Sequence, residues 1–221
     1  MHVRLNIGCG QTPSLGWTNY DNSPAVWLAR WPILAGLLRR VGLIDDGSAE
    51  FAAFCRGHRI LYANAVRRIP HASGAVDAIY SSHMIEHLVR DDARAFLREC
   101  HRVLRPGGRL RLAVPDLHAL ACEYLELGNG DYFLSQMQFE TQLPPGLFRK
   151  VKWLLFGGRS HHWMYDARSL GRLMEQAGFV DVEMMEPGQT RIGRADGLDL
   201  RERQIDSIYL EGCRPGQLTQ S

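Results

Sequence analysis

The sequence lacks any marked imbalance of charge. Its 26 Lys and Arg residues face 24 Asp and Glu, a formal net charge of +2 over 221 residues, so nothing demands nucleic acid or an anionic surface as partner. Lysine is almost missing, with Lys150 and Lys152 the only two among 26 basic residues. There is no C-x-x-C; Cys9, Cys55, Cys100, Cys122 and Cys213 are odd in number and scattered, which argues against a disulfide framework. With no secretory signal ahead of the first apolar run, the expectation is reduced thiols and a cytoplasmic location. No run of about 18 uncharged apolar residues occurs, so no segment is expected to span a membrane. The nearest, 25–44, is interrupted by Arg30, Pro32, Arg39 and Arg40. Repeats and low-complexity tracts are missing too. No G-K-[ST] occurs, which excludes a P-loop, and the third glycine of a dinucleotide fingerprint would fall on Pro13, which argues against a nicotinamide cofactor.

What is present is an ordinary globular composition, 45% apolar and 23% charged, enough for a single domain over 1–221 with a full core. The chain is organised around Leu5-Asn6-Ile7-Gly8-Cys9-Gly10. A short apolar run from Val3 to Ile7 that stops at Gly-x-Gly reads as a buried parallel strand ending in a tight turn. Ligands of open α/β sheets bind at such strand ends; a plain structural turn is the competing reading.

The next strand is expected over 16–21, which leaves too few residues between for a full crossover helix. Ser23-Pro24 should open a helix with the stripe Val26, Leu28, Trp31, Leu34, Leu37 and Leu38, kinked at Pro32. Asp45-Asp46-Gly47-Ser48 reads as a turn. Further strands are expected over 59–65, 76–81, 109–114, 180–185 and 207–213, with helices over 91–104, 117–127 and 166–177. The alternation predicts an α/β sheet, with an antiparallel pair formed by the last two strands at one edge. Residues 117–160 break the rhythm. They carry too many large apolar groups for a disordered linker and read as an inserted cap.

Taken in order, LNIGCG, GWTNYD, VDAIYSSHMIEHL, FLRECHRVLRPGGRLRLAVPDL and SLGRLMEQAGF resemble a class I S-adenosylmethionine-dependent methyltransferase. More narrowly, the chain resembles the small bacterial methyltransferases associated with surface-polysaccharide synthesis. The resemblance implies a Rossmann-like seven-stranded sheet, mostly parallel with an antiparallel edge strand. It implies S-adenosylmethionine over the strand tips, with Gly8, Cys9 and Gly10 under the methionine part and Asp21 on the ribose hydroxyls. Asn64 and Ala65 would flank the adenine, and Ser81, Ser82 and His83 would line the methionine end. A carboxylate suits a vicinal diol because it offers two acceptor oxygens to two donors. Asn64 stands where such families commonly carry Asp, and Asp45 or Asp46 are the alternatives for the ribose.

His83-Met84-Ile85-Glu86-His87 spells H-x-x-E-H, which on a helix would set two imidazoles one turn apart. No third ligand follows at a recognisable spacing, so the expectation is no metal, with His83 in the cofactor loop and His87 packing a helix. His161, His162 and Tyr165 close the cap and are candidate substrate contacts. A hydroxyl acceptor, such as a sugar of a surface glycan, needs a base, and His162, Asp116 and His83 are the candidates in that order. For Asp116 the competing reading is a helix N-cap. The stretch 147–156, basic and aromatic, would suit either an anionic membrane surface or a lid helix on its own domain. A second function would be a non-catalytic S-adenosylmethionine-binding module of a glycan-assembly complex.

Overall fold

The first strand, β1 (Arg4–Ile7), forms because three of its four residues can be buried on both faces of a sheet. It lies near the middle of a seven-stranded sheet in a computed structural model that describes residues 2–138 and 160–216. In chain order the other elements are β2 (Thr18–Asp21), α1 (Ala25–Leu28), α2 (Pro32–Arg40), α3 (Asp46–Gly57), β3 (Ile60–Tyr62), β4 (Val76–Ser82), a 3-10 turn at Ile85–His87, α4 (Arg90–Val103), β5 (Leu104–Pro115), α5 (Leu117–Leu127), α6 (Gly130–Gln136), α7 (Ala167–Gln176), β6 (Val180–Met185) and β7 (Ser207–Cys213). The strand order is β3-β2-β1-β4-β5-β7-β6. The first five strands pair in parallel, and β7 runs antiparallel between β5 and β6. Order reverses beside β1, between β2 and β4, the place where α/β sheets hold ligands.

Helix α4 packs on one face of the sheet through Ala93, Phe96, Leu97, Cys100 and Val103, all fully buried. Each of the larger ones contributes about 1.5–3 kcal/mol by leaving water. Asp91 and Asp92 sit in its first turn and His101 and Arg102 in its last, both favourable to the helix dipole. Helix α7 begins in a capping box, Asp166 accepting from the Ser169 N–H while the Ser169 hydroxyl accepts from Asp166 N–H.

The other face lacks a helix in the β1–β2 crossover, as the short spacing implied. Residues 186–206, between β6 and β7, cover it instead. Trp17, Ala78, Tyr80 and Ile192 form a separate buried cluster there. The Trp17 indole donates to the Asp196 carbonyl at 2.8 Å, Arg4 to the Arg194 carbonyl at 2.8 Å, and the Tyr80 hydroxyl to Glu202 at 2.7 Å. The anchor is a fully buried pair across β5 and β7, in which Arg111 donates to Glu211 at 2.8 Å.

Three local expectations are corrected. Residues 24–40 are not one kinked helix. The chain breaks at Trp31, and Pro32 takes the first position of α2, where its missing N–H costs nothing. The expected stripe is largely exposed, since only Ala35 of α2 is buried while Trp31, Leu34 and Leu37 face solvent. Asp45–Ser48 is not a free-standing turn: Asp45 caps α3 by accepting from Ser48 N–H at 2.7 Å. The strand expected over 109–114 begins earlier: β5 starts at Leu104, paired to Val76, so Arg105-Pro106-Gly107-Gly108 lies within it, with a register shift following. Helices α5 and α6 bury none of their own side chains. The basic, aromatic stretch 147–156 lies outside the described residues.

Candidate functional site

The turn after β1 folds over the tip of β2. Gly8 and Cys9 N–H both donate to the Tyr20 carbonyl, at 2.8 and 3.1 Å. Asp21, the last residue of β2, then holds the turn in place: one carboxylate oxygen accepts from Gly10 N–H at 3.0 Å and the other from Ser23 N–H at 2.8 Å. Gly8 has φ +71° and Gly10 φ +48°, a region that β-carbons disfavour. The two glycines differ in surroundings. A β-carbon on Gly8 would meet Met84 Cγ at 2.5 Å, whereas one on Gly10 would meet nothing within 4 Å. Gly8 is therefore closed by the protein and Gly10 presents open backbone, the arrangement a ligand needs to lie on the chain.

Cys9 contributes backbone only. Its side chain is buried among Ala25, Val26, Phe51, Ala52, Cys55 and Ile60, and burial, helped by the Asp21 carboxylate, pushes its thiol far up. Asp45 and Asp46, the alternatives for the ribose, are engaged elsewhere, Asp45 as cap of α3 and Asp46 with Arg39 at 2.7 Å. The Asn64 carboxamide oxygen accepts from Val66 and Arg67 N–H, turning the chain after β3, and Ala65 is buried beside it. Ser81 is buried at the end of β4, and its hydroxyl has no hydrogen-bond partner among the described residues.

His83 follows β4 with φ +47°, uncommon for a residue with a β-carbon and typical of functional loops. Its backbone N–H donates to the Ala113 carbonyl at 2.9 Å. Its Nε2 meets the Ser207 hydroxyl at 2.8 Å, while Nδ1 lies 3.2 Å from the Arg203 guanidinium and 3.3 Å from a Glu86 oxygen. Arg203 and Ser207 lie more than a hundred residues away in sequence, so no local pattern could have found them. H-x-x-E-H does not form a helical pair, because the chain turns at His83 and only Ile85–His87 makes a 3-10 turn. Instead, 160–163 closes on that turn, with His162 and Trp163 N–H donating to the Glu86 carbonyl at 2.8 and 3.1 Å and the His87 ring meeting the Ser160 carbonyl.

His161 and His162 therefore differ in surroundings: His161 is buried and His162 exposed. Burial pulls the His161 pKa down from its ordinary value. Tyr165 is not an exposed substrate contact, being 1% exposed within the main core, where burial pushes its phenol up. Asp116 caps α5, accepting from His118 N–H at 2.9 Å.

The sheet order is that of a Rossmann-like fold, one that S-adenosylmethionine-dependent methyltransferases share. A structure of this fold from Thermotoga maritima, described as a SAM-dependent methyltransferase and possible histamine N-methyltransferase, superimposes with TM-score 0.52 at 17% identity, over 97% of this chain and 82% of that one. The family model described as "Methyltransferase domain" matches residues 43–112. An uncharacterised 37.1 kDa protein of a Streptomyces fradiae transposon is 39% identical over 129 residues, 56% of this chain and 33% of its own length. Demethylmenaquinone methyltransferase of Mycolicibacterium gilvum is 30% identical over 125 residues, 54% of this chain and 50% of its own length. The chain thus spans a third to a half of the length of these curated relatives.

Proposed function

We propose that the chain transfers the methyl group of S-adenosylmethionine to a small hydroxyl-bearing acceptor, with a sugar hydroxyl of a surface glycan or its precursor as the working acceptor class. The observation that carries the reading is the Gly8-Cys9-Gly10 turn, open at Gly10 and held by Asp21 at the point where strand order reverses. The cofactor supplies an already activated methyl group on a sulfonium. The protein's part is to hold the acceptor oxygen behind that methyl at near-attack distance and to receive its proton. Asp21, at the tip of β2 beside the open Gly10 backbone, would take the ribose hydroxyls through its carboxylate. Asn64 and Ala65 would border the adenine, and Ser81, Ser82 and His83 the methionine end.

His162 is the proposed base, because it is exposed at the strand tips while its backbone is fixed to Glu86. Asp116 is committed to its helix cap and His83 to Ser207 and Arg203. His162→Ala is expected to lower turnover about 10²-fold or more with cofactor affinity unchanged, measured as initial rates beside calorimetric titration; an unchanged rate removes His162 from the mechanism.

The test of the cofactor is calorimetric titration with S-adenosylmethionine, its demethylated product and NADH, repeated on Asp21→Ala. Micromolar binding of the first two and none of NADH is expected. The variant should lose about a hundredfold, the equivalent of one or two charge-assisted hydrogen bonds. No binding by the intact protein overturns the proposal and leaves the turn as structure.

A further inference from the structure

Glu86 is fully buried, and neither of its carboxylate oxygens has a hydrogen-bond partner among the described residues. Buried polar groups are almost always satisfied, and an orphaned one asks for a missing water or ion. His83 does not satisfy it. The His83 Nδ1, 3.3 Å away, is the acceptor side of the ring when Arg203 donates to it and Nε2–H donates to Ser207. Two other imidazoles converge on the same carboxylate. One nitrogen each from His87 and His161 and one Glu86 oxygen lie within 4.8 Å of one another. Donors about 2.0–2.2 Å from a tetrahedral ion stand roughly 3.4 Å apart, so small side-chain rotations close the set.

The surroundings are those of a ligand set. His87 Nδ1 meets the Ser160 carbonyl at 3.0 Å, which leaves its Nε2 as acceptor. The His161 ring is buried, and its Nδ1 has no hydrogen-bond partner among the described residues. A carbonyl fixing one nitrogen so that the other faces inward is how proteins orient metal-binding histidines. The two rings stand edge to face with centroids 5.0 Å apart. The backbone holds the pieces together, since 162 and 163 both donate to the Glu86 carbonyl.

We propose that Glu86, His87 and His161 form a site for one divalent transition-metal ion of the zinc type. A carboxylate with two imidazoles is a borderline-soft set that suits zinc over magnesium or calcium. Three protein ligands leave one position open to an oxygen donor such as water or an acceptor group. The site stands on its own geometry and does not depend on the methyltransferase reading.

The test uses the full chain, stripped with chelator and titrated with Zn²⁺ by calorimetry and with Co²⁺ by visible absorption. The expected result is one Zn²⁺ per chain at micromolar affinity or tighter, an intense low-coordinate Co²⁺ spectrum, and a higher melting temperature with Zn²⁺. Glu86→Gln, which preserves size, and His161→Asn should each weaken binding about a hundredfold or more and abolish the melting shift. Cys122→Ser controls for the exposed Cys122–His118 pair, whose Sγ and Nε2 lie 3.7 Å apart, and should bind as the wild type does. Absence of stoichiometric Zn²⁺ overturns the proposal. So does Zn²⁺ that survives both Glu86→Gln and His161→Asn, or that Cys122→Ser removes.

Discussion

Gly8→Ala is expected to destabilise the protein by about 2–4 kcal/mol and to weaken S-adenosylmethionine binding by more than tenfold. Two penalties fall on one atom. Alanine at φ +71° costs about 1–2 kcal/mol from its β-carbon alone. The same carbon would stand 2.5 Å from Met84 Cγ and 2.9 Å from Met84 Cβ, and forcing a group into packed space costs typically 1–3 kcal/mol. Met84 has little room to retreat, because it packs against the main core cluster. The turn must move, and with it the Gly8 and Cys9 N–H bonds to Tyr20 and the Gly10 contact to Asp21. Urea melts and titration below the melting temperature check both effects. Met84→Ala separates the causes in part: the double variant loses the 2.5 Å overlap with Cγ but keeps the 2.9 Å approach to Cβ and the backbone strain, so only a minor share of the lost stability should return. Gly10→Ala is the contrast, with strain but no clash in the free protein, so its loss should appear chiefly in cofactor binding. A Gly8→Ala variant that melts and binds as the wild type does would show that the turn is not fixed by Met84.

The strand tips were legible because each rests on local chemistry. Apolar runs end at Gly8, at Asp21 and at Ser82, and the order of these ends in an alternating α/β chain prescribes which edge holds a ligand. Helix α3 was not legible. Asp45, Gly47 and Ser48 serve equally as turn residues and as the start of a helix, and the buried stripe Phe51, Ala52 and Cys55 is too short to decide. The α2 stripe misled in the opposite direction, since amphipathic spacing reports a face and not whether anything covers it. At the site, the turn and Asp21 could be read from neighbours in sequence. His161 on Glu86, and Arg203 and Ser207 on His83, depend on segments separated by about 75 to 125 residues, and no spacing rule links them. Burial divided what the sequence listed together: Cys9 and Tyr165 went into the core, and of the adjacent His161 and His162 only the first is buried.

Arg111→Met is expected to cost about 3–5 kcal/mol, the range seen when one partner of a buried ion pair is removed, and to lower the melting temperature by roughly 10–15 °C for a chain of this size. Both side chains are 0% exposed. Arg111 also donates to the Gln189 carbonyl at 2.9 Å and the Leu200 carbonyl at 3.3 Å, and its guanidinium stands 4.7 Å from the Tyr209 ring centroid. Glu211 in turn accepts from the Thr190 hydroxyl and from Arg191 N–H. Methionine fills much of the same volume but leaves the Glu211 charge in the interior without its cation. The pair thus fastens 189–200 to the sheet face that no crossover helix covers. The double variant Arg111→Met/Glu211→Leu removes both charges and should regain most of the melting temperature, yet the loop loses its anchors in both. Hydrogen exchange at the Trp17 indole, which donates to the Asp196 carbonyl, should therefore be faster in the single and the double variant alike. Turnover should fall with it, because the same loop carries Glu202 to Tyr80 and Arg203 to His83. If the melt recovers while indole exchange and turnover stay impaired, stability and site geometry have been separated: the charge pair matters to the interior, and the loop it holds matters to His83. Single-variant melts and indole exchange equal to the wild type would mean that the loop is held by the Trp17–Ile192 cluster alone.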